Sequence, residues 1–202
     1  AIRHGSATVE GVEAVLADPQ ADCVRELKPD ALVDAILAKK NLGTRITDAP
    51  CVIGVGPGFT AGKDCHAAVE TMRGHTLGRA LYHGSPLPNT NIPGLIGGFA
   101  GERVLRAPCD GIFTAVHRIG DTVEEGETIG FVEGQRMKCT ISGVLRGVLD
   151  DGVPVKKGMK SGDVDPRCKP EYCTTISDKA LAVGGGVVEA VLYLSAKAQG
   201  RR

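Results

Sequence analysis

The segment most suggestive of chemistry is Gly56-Pro57-Gly58-Phe59-Thr60-Ala61-Gly62-Lys63-Asp64, which follows the apolar run Cys51–Val55. Its spacing fits G-x-G-x-x-[GA]. In that pattern glycines let the backbone approach a phosphate, and the helix that follows offers unpaired N–H donors and a positive dipole end. Gly56, Gly58, Thr60, Ala61, Gly62, Lys63 and Asp64 are therefore candidate contacts for a phosphate or other anion. The plain alternative is a tight turn between a strand and a helix. Ordinary NAD binding is not indicated, because Pro57 interrupts the loop and Tyr82-His83-Gly84, not an acid, ends the next strand. Walker A also fails, with Pro57 at its first glycine position and Asp64 where Ser or Thr should stand.

Other candidates flank this loop. Asp34 interrupts the apolar stretch 30–38, and a carboxylate is costly to bury unless it meets a donor. At a strand end beside a glycine loop it is placed to meet a ligand hydroxyl. Asn41, Thr44 and Arg45 in the next loop add polar contacts. If 61–73 is a helix, His66 and Glu70 are spaced i, i+4 on one face, where such a pair can orient an imidazole for proton transfer or bind a metal. An ordinary solvated helix face explains them equally well. Seven cysteines, an odd number without a C-x-x-C, read as free thiols in a reducing, cytoplasmic setting. No metal-ligand set stands out.

The elements that must position these residues follow from pattern. Residues 7–17 suggest a strand pair turning at Gly11, and 30–38 suggest a strand. Cys51–Val55 reads as a strand covered on both faces, 61–73 as a helix ending at Gly74, and 77–83 as a returning strand. Strand, glycine loop, helix and strand together are the grammar of a Rossmann-like α/β unit, expected over 1–98. Residues 84–101, rich in glycine and proline, mark a boundary. Residues 168–202 form a loop and a helix, capped at Ser177 and carrying Gly184-Gly185-Gly186, expected to lie close against the α/β unit.

Between these, 107–133 and 139–165 align without gaps at an offset of 32, with seven identities of which four are glycines falling at turns or short strands. The pattern resembles a biotinyl/lipoyl barrel, expected over 102–167. Such carriers project a lysine from a hairpin between the halves. Here Lys138 lies only five residues before Gly143, so neither lipoate nor biotin is expected.

Composition excludes broad classes. Net charge is zero over 202 residues, with 42% hydrophobic content and no tryptophan. A nucleic-acid surface is not expected, nor is a membrane partner, since no uninterrupted apolar run reaches about 18 residues.

Several stretches taken together resemble the YqeB family across nearly the whole chain. They are Asn41-Leu42-Gly43-Thr44-Arg45, Gly56 through Asp64, His66, Val69-Glu70-Thr71, Arg73-Gly74-His75 and Leu77-Gly78-Arg79. Gly143-Val144-Leu145-Arg146-Gly147, Gly162-Asp163-Val164-Asp165-Pro166-Arg167 and residues 177–187 complete the set. The resemblance implies an accessory role in maturing a selenium-dependent molybdenum hydroxylase or handling its cofactor. Implied partners are that hydroxylase or other maturation proteins, and the implied ligand is a nucleotide or molybdenum pterin. It also implies a family N-terminal strand and a second glycine loop that precede this sequence. The alternative is a non-catalytic scaffold that docks on the hydroxylase through its barrel.

Overall fold

The computed structural model describes residues 16–90, 93–198 and 200, so the strand pair expected at 7–17 falls outside the described residues for all but its last two positions. The chain forms two compact units. One is Ala1–Asn89 with Ala182–Arg202, and the other is Thr90–Leu181.

The first unit holds one four-stranded sheet in the order β1-β2-β3-β4: Ala31–Asp34, Cys51–Val55, Ala67–Val69 and Ala80–Leu81. β1, β2 and β3 run parallel, and β4 is antiparallel to β3. All five β2 residues are buried, as a continuous apolar run between two covered faces must be. Cys51 and Ile53 face one side with Ala67 and Val69, where helix α2 (Asp178–Ala198) lays Val183, Val187 and Ala190 on them. Val52 faces the other side with Ala68, Cys65 and Phe59. Helix α1 (Cys23–Leu27) precedes β1 and ends at Lys28 in left-handed conformation.

This corrects the Rossmann-like expectation. No helix covers 61–73; residues 61–64 turn and Ala67–Val69 pairs with Ile53–Val55 of β2. The composition suits a helix, but Cys65 and every residue from Ala67 through Thr71 are buried, a run that fits a strand covered on both faces rather than one stripe of a helix. Gly62, at φ +88, breaks the helical path at its start. The connections β1 to β2 and β2 to β3 are loops, so the described residues of the unit hold no crossover helices of a doubly wound fold.

The second unit is two antiparallel sheets, β5-β12-β10-β7 and β11-β6-β8-β9. The strands are β5 Val104–Arg106, β6 Gly111–Ala115, β7 Thr122–Val123, β8 Thr128–Val132, β9 Gln135–Lys138, β10 Gly143–Val148, β11 Pro154–Val155 and β12 Lys160–Asp165. The starts of β6, β7 and β8 differ from those of β10, β11 and β12 by the same 32 residues that separate the glycines. Each copy lends a strand to the other's sheet: β7 pairs with β10, and β11 with β6. Phe113, Ile129, Val132, Leu145 and Val164 fill one shared core.

The barrel expectation is also corrected. The two sheets are open, each ending at an edge strand of two to four residues, and they do not close on themselves. Two-residue strands such as β7 and β11 give too short a ladder to carry the pairing onward. Lys138 lies in β9 opposite Thr128, while the hairpin tip is Glu133-Gly134, both at positive φ. By length and composition alone, Pro170–Ala198 is long and apolar enough to cross a membrane, although charged residues interrupt its apolar run. Its helical part is the one that covers the first unit's sheet.

Candidate functional site

The polar groups that gather in the first unit do so at the carboxyl end of β1. Asp34 closes that strand in register with Gly54 of β2, and is 8% exposed. Its Oδ1 accepts the Ile36 N–H at 3.1 Å, and its Oδ2 accepts the Thr44 hydroxyl at 2.6 Å. Thr44 is itself held in place. Asn41 Oδ1 accepts the N–H groups of Gly43 and Thr44, each at 2.8 Å, and its amide donates to the Thr44 carbonyl at 2.8 Å. Asn and Asp side chains that bond backbone two or three residues on build such turns without secondary structure. A second turn follows, with the Arg45 N–H donating to Asp48 Oδ2 and the Asp48 N–H to the Arg45 carbonyl.

Beside this latch lies an open cleft of about 690 Å³. Val24 and Arg25 of α1, Leu32 and Asp34 of β1, Leu42 and Arg45 line it. Three sequence candidates, Asp34, Thr44 and Arg45, thus meet in one wall, with Asn41 behind them. The cleft follows the edge strand β1 to its carboxyl end, the end of a strand at which open parallel sheets bind ligands. Sequence reasoning missed Val24, Arg25, Leu32 and Leu42. Leu32 was within reach, since it lies two residues before Asp34 and shares its strand face. Nothing in the spacing of α1 signals that its Val24 and Arg25 face β1.

The glycine turn is built differently from a phosphate cradle. Gly56 donates its N–H to Val69 O, Ala61 to Gly84 O and Gly62 to Cys65 O. Lys63 and Asp64 donate theirs to Thr60 O, and Thr60 donates its own to Asp64 Oδ2 at 2.9 Å. Six N–H groups are therefore already committed, and no helix follows to supply a dipole. The glycines admit the chain's own neighbours: a Cβ on Gly58 would lie 2.5 Å from the Lys40 Cα, and one on Gly56 would lie 3.0 Å from Thr71 Oγ1. Lys63 is exposed, and the Thr60 hydroxyl pairs with that of Ser85 at 2.9 Å. The turn braces the segment that leads into Asn41.

His66 and Glu70 do not share a helix face, since both flank strand β3. His66 Nδ1 accepts the Val52 N–H at 3.0 Å, which leaves the proton of a neutral ring on Nε2. Glu70 is 3% exposed, and its carboxylate accepts three N–H groups: Thr71 and Met72 at 2.7 Å and Leu87 at 2.8 Å. Each side chain closes a separate set of backbone bonds. Cys65, fully buried, has its thiol pushed up to about 11 by burial and is no nucleophile at neutral pH.

Comparison with known proteins places the chain. No family model matches it. It is 46% identical over 213 residues to the Escherichia coli K12 protein named uncharacterized protein YqeB, covering 96% of this chain and 39% of that protein. Among solved structures, an aspartoacylase-family protein from Mesorhizobium loti aligns over 31% of the chain and 22% of its own, at 17% identity and a TM-score of 0.29. A succinylglutamate desuccinylase/aspartoacylase from Rhodobacter sphaeroides aligns over 32% and 22%, at 22% identity and a TM-score of 0.29. Likenesses of that size carry no argument about fold or activity. The long match at 46% identity does: this chain belongs to the YqeB family, and spans well under half the length of its Escherichia coli relative.

Proposed function

We propose that the chain is the ligand-holding part of an accessory protein that matures a selenium-dependent molybdenum hydroxylase or handles its cofactor. The hydroxylase context rests on the family resemblance, and the hydroxylase or another maturation protein is the partner. The ligand is a phosphate-bearing cofactor or nucleotide, and it lies in the cleft beside β1 rather than on the glycine turn.

The observation that carries this reading is the buried Asp34, bonded to a half-buried Thr44, opening onto a cleft at a parallel strand's carboxyl end. A carboxylate removed from water is retained where it meets donors, and a mostly apolar wall with a few placed polar groups is how small-molecule sites are made. Arg45 at the rim supplies the positive charge that a phosphate needs.

Native mass spectrometry of the chain, purified without oxygen from cells supplied with molybdate and selenite, tests it. The expected result is a non-covalent adduct, lost on denaturation, with the mass of a nucleotide or pterin. Leu42→Trp, which fills the cleft from an exposed position, should abolish the adduct and leave the fold intact. A bare polypeptide mass, or an adduct indifferent to Leu42→Trp, overturns the reading.

A further inference from the structure

The arrangement around Asp34 narrows the ligand class. An ionised carboxylate offers about four lone-pair directions and donates nothing. Two of those directions are filled, by the Ile36 N–H and the Thr44 hydroxyl. Because Thr44 gives its only proton to Asp34, its oxygen has only acceptor capacity left. Carboxylate and hydroxyl, 2.6 Å apart, together present two adjacent acceptors and no donor.

A phosphate is repelled by such a surface. Two neighbouring hydroxyls match it, because each donates one proton and the oxygens of a vicinal diol are spaced like the two acceptors. The cleft also carries two cations, which offset the carboxylates of Asp34 and Asp48. Arg25 and Arg45 line it, and the carboxylate of Asp48 already accepts the Arg45 N–H. Arg25 shares its charge with Asp22 at 2.8 Å, so Arg45, next in sequence to Thr44, is the cation best placed beside the two acceptors. Val24, Leu32 and Leu42 supply apolar wall for a flat ring. Donors at the base, an anion at the rim and an apolar face between them describe a nucleotide that keeps its ribose hydroxyls.

We infer that the cleft binds a ribonucleoside phosphate, free or as part of a larger cofactor, with its ribose diol on Asp34 and Thr44 and its phosphate on Arg45. This rests on the cleft being the ligand site, as proposed above.

The test is calorimetric titration of the chain, stripped of any bound ligand, with each of the four ribonucleoside 5′-monophosphates and its 2′-deoxy counterpart. Inorganic phosphate serves as the anion control. At least one ribonucleotide should bind about tenfold or more tightly than its deoxy form, as expected for one hydrogen bond to a charged acceptor. Asp34→Asn should bring the two forms within about twofold, and Arg45→Gln should weaken both equally. The comparison of ribose with deoxyribose in the unaltered chain stands even if Asp34→Asn fails to fold.

Equal affinity for the two sugars, or no binding of any ribonucleotide, overturns the inference. An adduct in native mass spectrometry that lacks a ribose diol does the same while leaving the cleft reading intact. A bare mass together with no titration defeats both. Competition by the ribonucleotide against an adduct of larger mass identifies a nucleotide-bearing cofactor, whereas an adduct of the ribonucleotide's own mass identifies the free nucleotide.

Discussion

The three consecutive glycines of α2 should respond to alanine with opposite signs. Gly184 and Gly185 face open space, with nothing within 4 Å of where a Cβ would stand. Each replacement by alanine there gains helix propensity, about 0.8–1 kcal/mol, with nothing to oppose it. Gly186 is buried, and its Cβ would run into the carbonyl oxygen of Gly78 and come within 3.1 Å of Val69 Cγ1. That carbonyl cannot yield easily. Gly78 is at φ +79, and its own N–H is fixed to Glu70 O at 2.9 Å. A methyl group at 186 therefore pushes the helix off the sheet by roughly 1 Å. A radial gap of about 0.5–1 Å forfeits a quarter to a half of each dispersion contact, here those of Val183, Val187 and Ala190. Overpacking of this kind costs about 1–3 kcal/mol, which exceeds the propensity gain. Thermal unfolding followed by circular dichroism should show Gly184→Ala and Gly185→Ala raising the midpoint by about 2–4 °C each, and Gly186→Ala lowering it. If Gly186→Ala stabilises like its neighbours, the close approach of helix and turn is not real.

Two further outcomes follow from the buried carboxylates. Glu70→Ala strands three backbone N–H groups and should cost about 3 kcal/mol or more, while His66→Ala, which removes one acceptor, should cost about 1 kcal/mol in urea unfolding. A neutral Glu70→Ala would return that residue to the list of candidate acids. In the second unit, hydrogen bonds from Arg167 at 2.9 and 2.6 Å hold the Asp165 carboxyl below its usual 3.8, helped by the Arg167 N–H and by Arg146. A carboxylate whose folded value is lowered stabilises fully above the unfolded value and loses that contribution as pH falls through the folded one. The stability gap between wild type and Asp165→Asn should thus be constant near neutrality and close below about pH 4; a gap unchanged down to pH 2 would refute the pairing.

What the sequence discloses depends on whether a signal is local. Cys51–Val55 is legible as a strand because an unbroken apolar run of that length between turn residues has one economical use. Residues 61–73 mislead because alanine, lysine, glutamate and methionine favour helices wherever they stand, and only pairing with β2 overrides them. The offset of 32 shows that two copies are alike; it does not show whether each pairs within itself or across, and the structure pairs β7 with β10 and β11 with β6. That Asp34 meets donors was legible for a physical reason, since an acid inside an apolar strand demands one, and it accepts from the Ile36 N–H and the Thr44 hydroxyl. His66 and Glu70 looked like a reacting pair because i, i+4 spacing has meaning only on a helix, and the segment is a strand.

The same reasoning separates the two uses of a glycine turn. Glycine removes a Cβ so that something can come near, and the pattern is silent on whether that is a ligand or the chain. The N–H groups decide, because a phosphate cradle keeps its donors pointed outward and unpaired. Here those of Gly56 and of every residue from Thr60 to Asp64 are spent on the chain's own acceptors, and the space beside Gly58 is filled by Lys40. Lys40 is next to Asn41, whose side chain fixes Thr44 and through it one oxygen of Asp34. A side chain at Gly58 therefore disturbs the cleft from behind. Loss of ligand in a Gly58 variant would not place the ligand on the turn; only positions that face the cleft, such as Leu42 and Arg45, locate it.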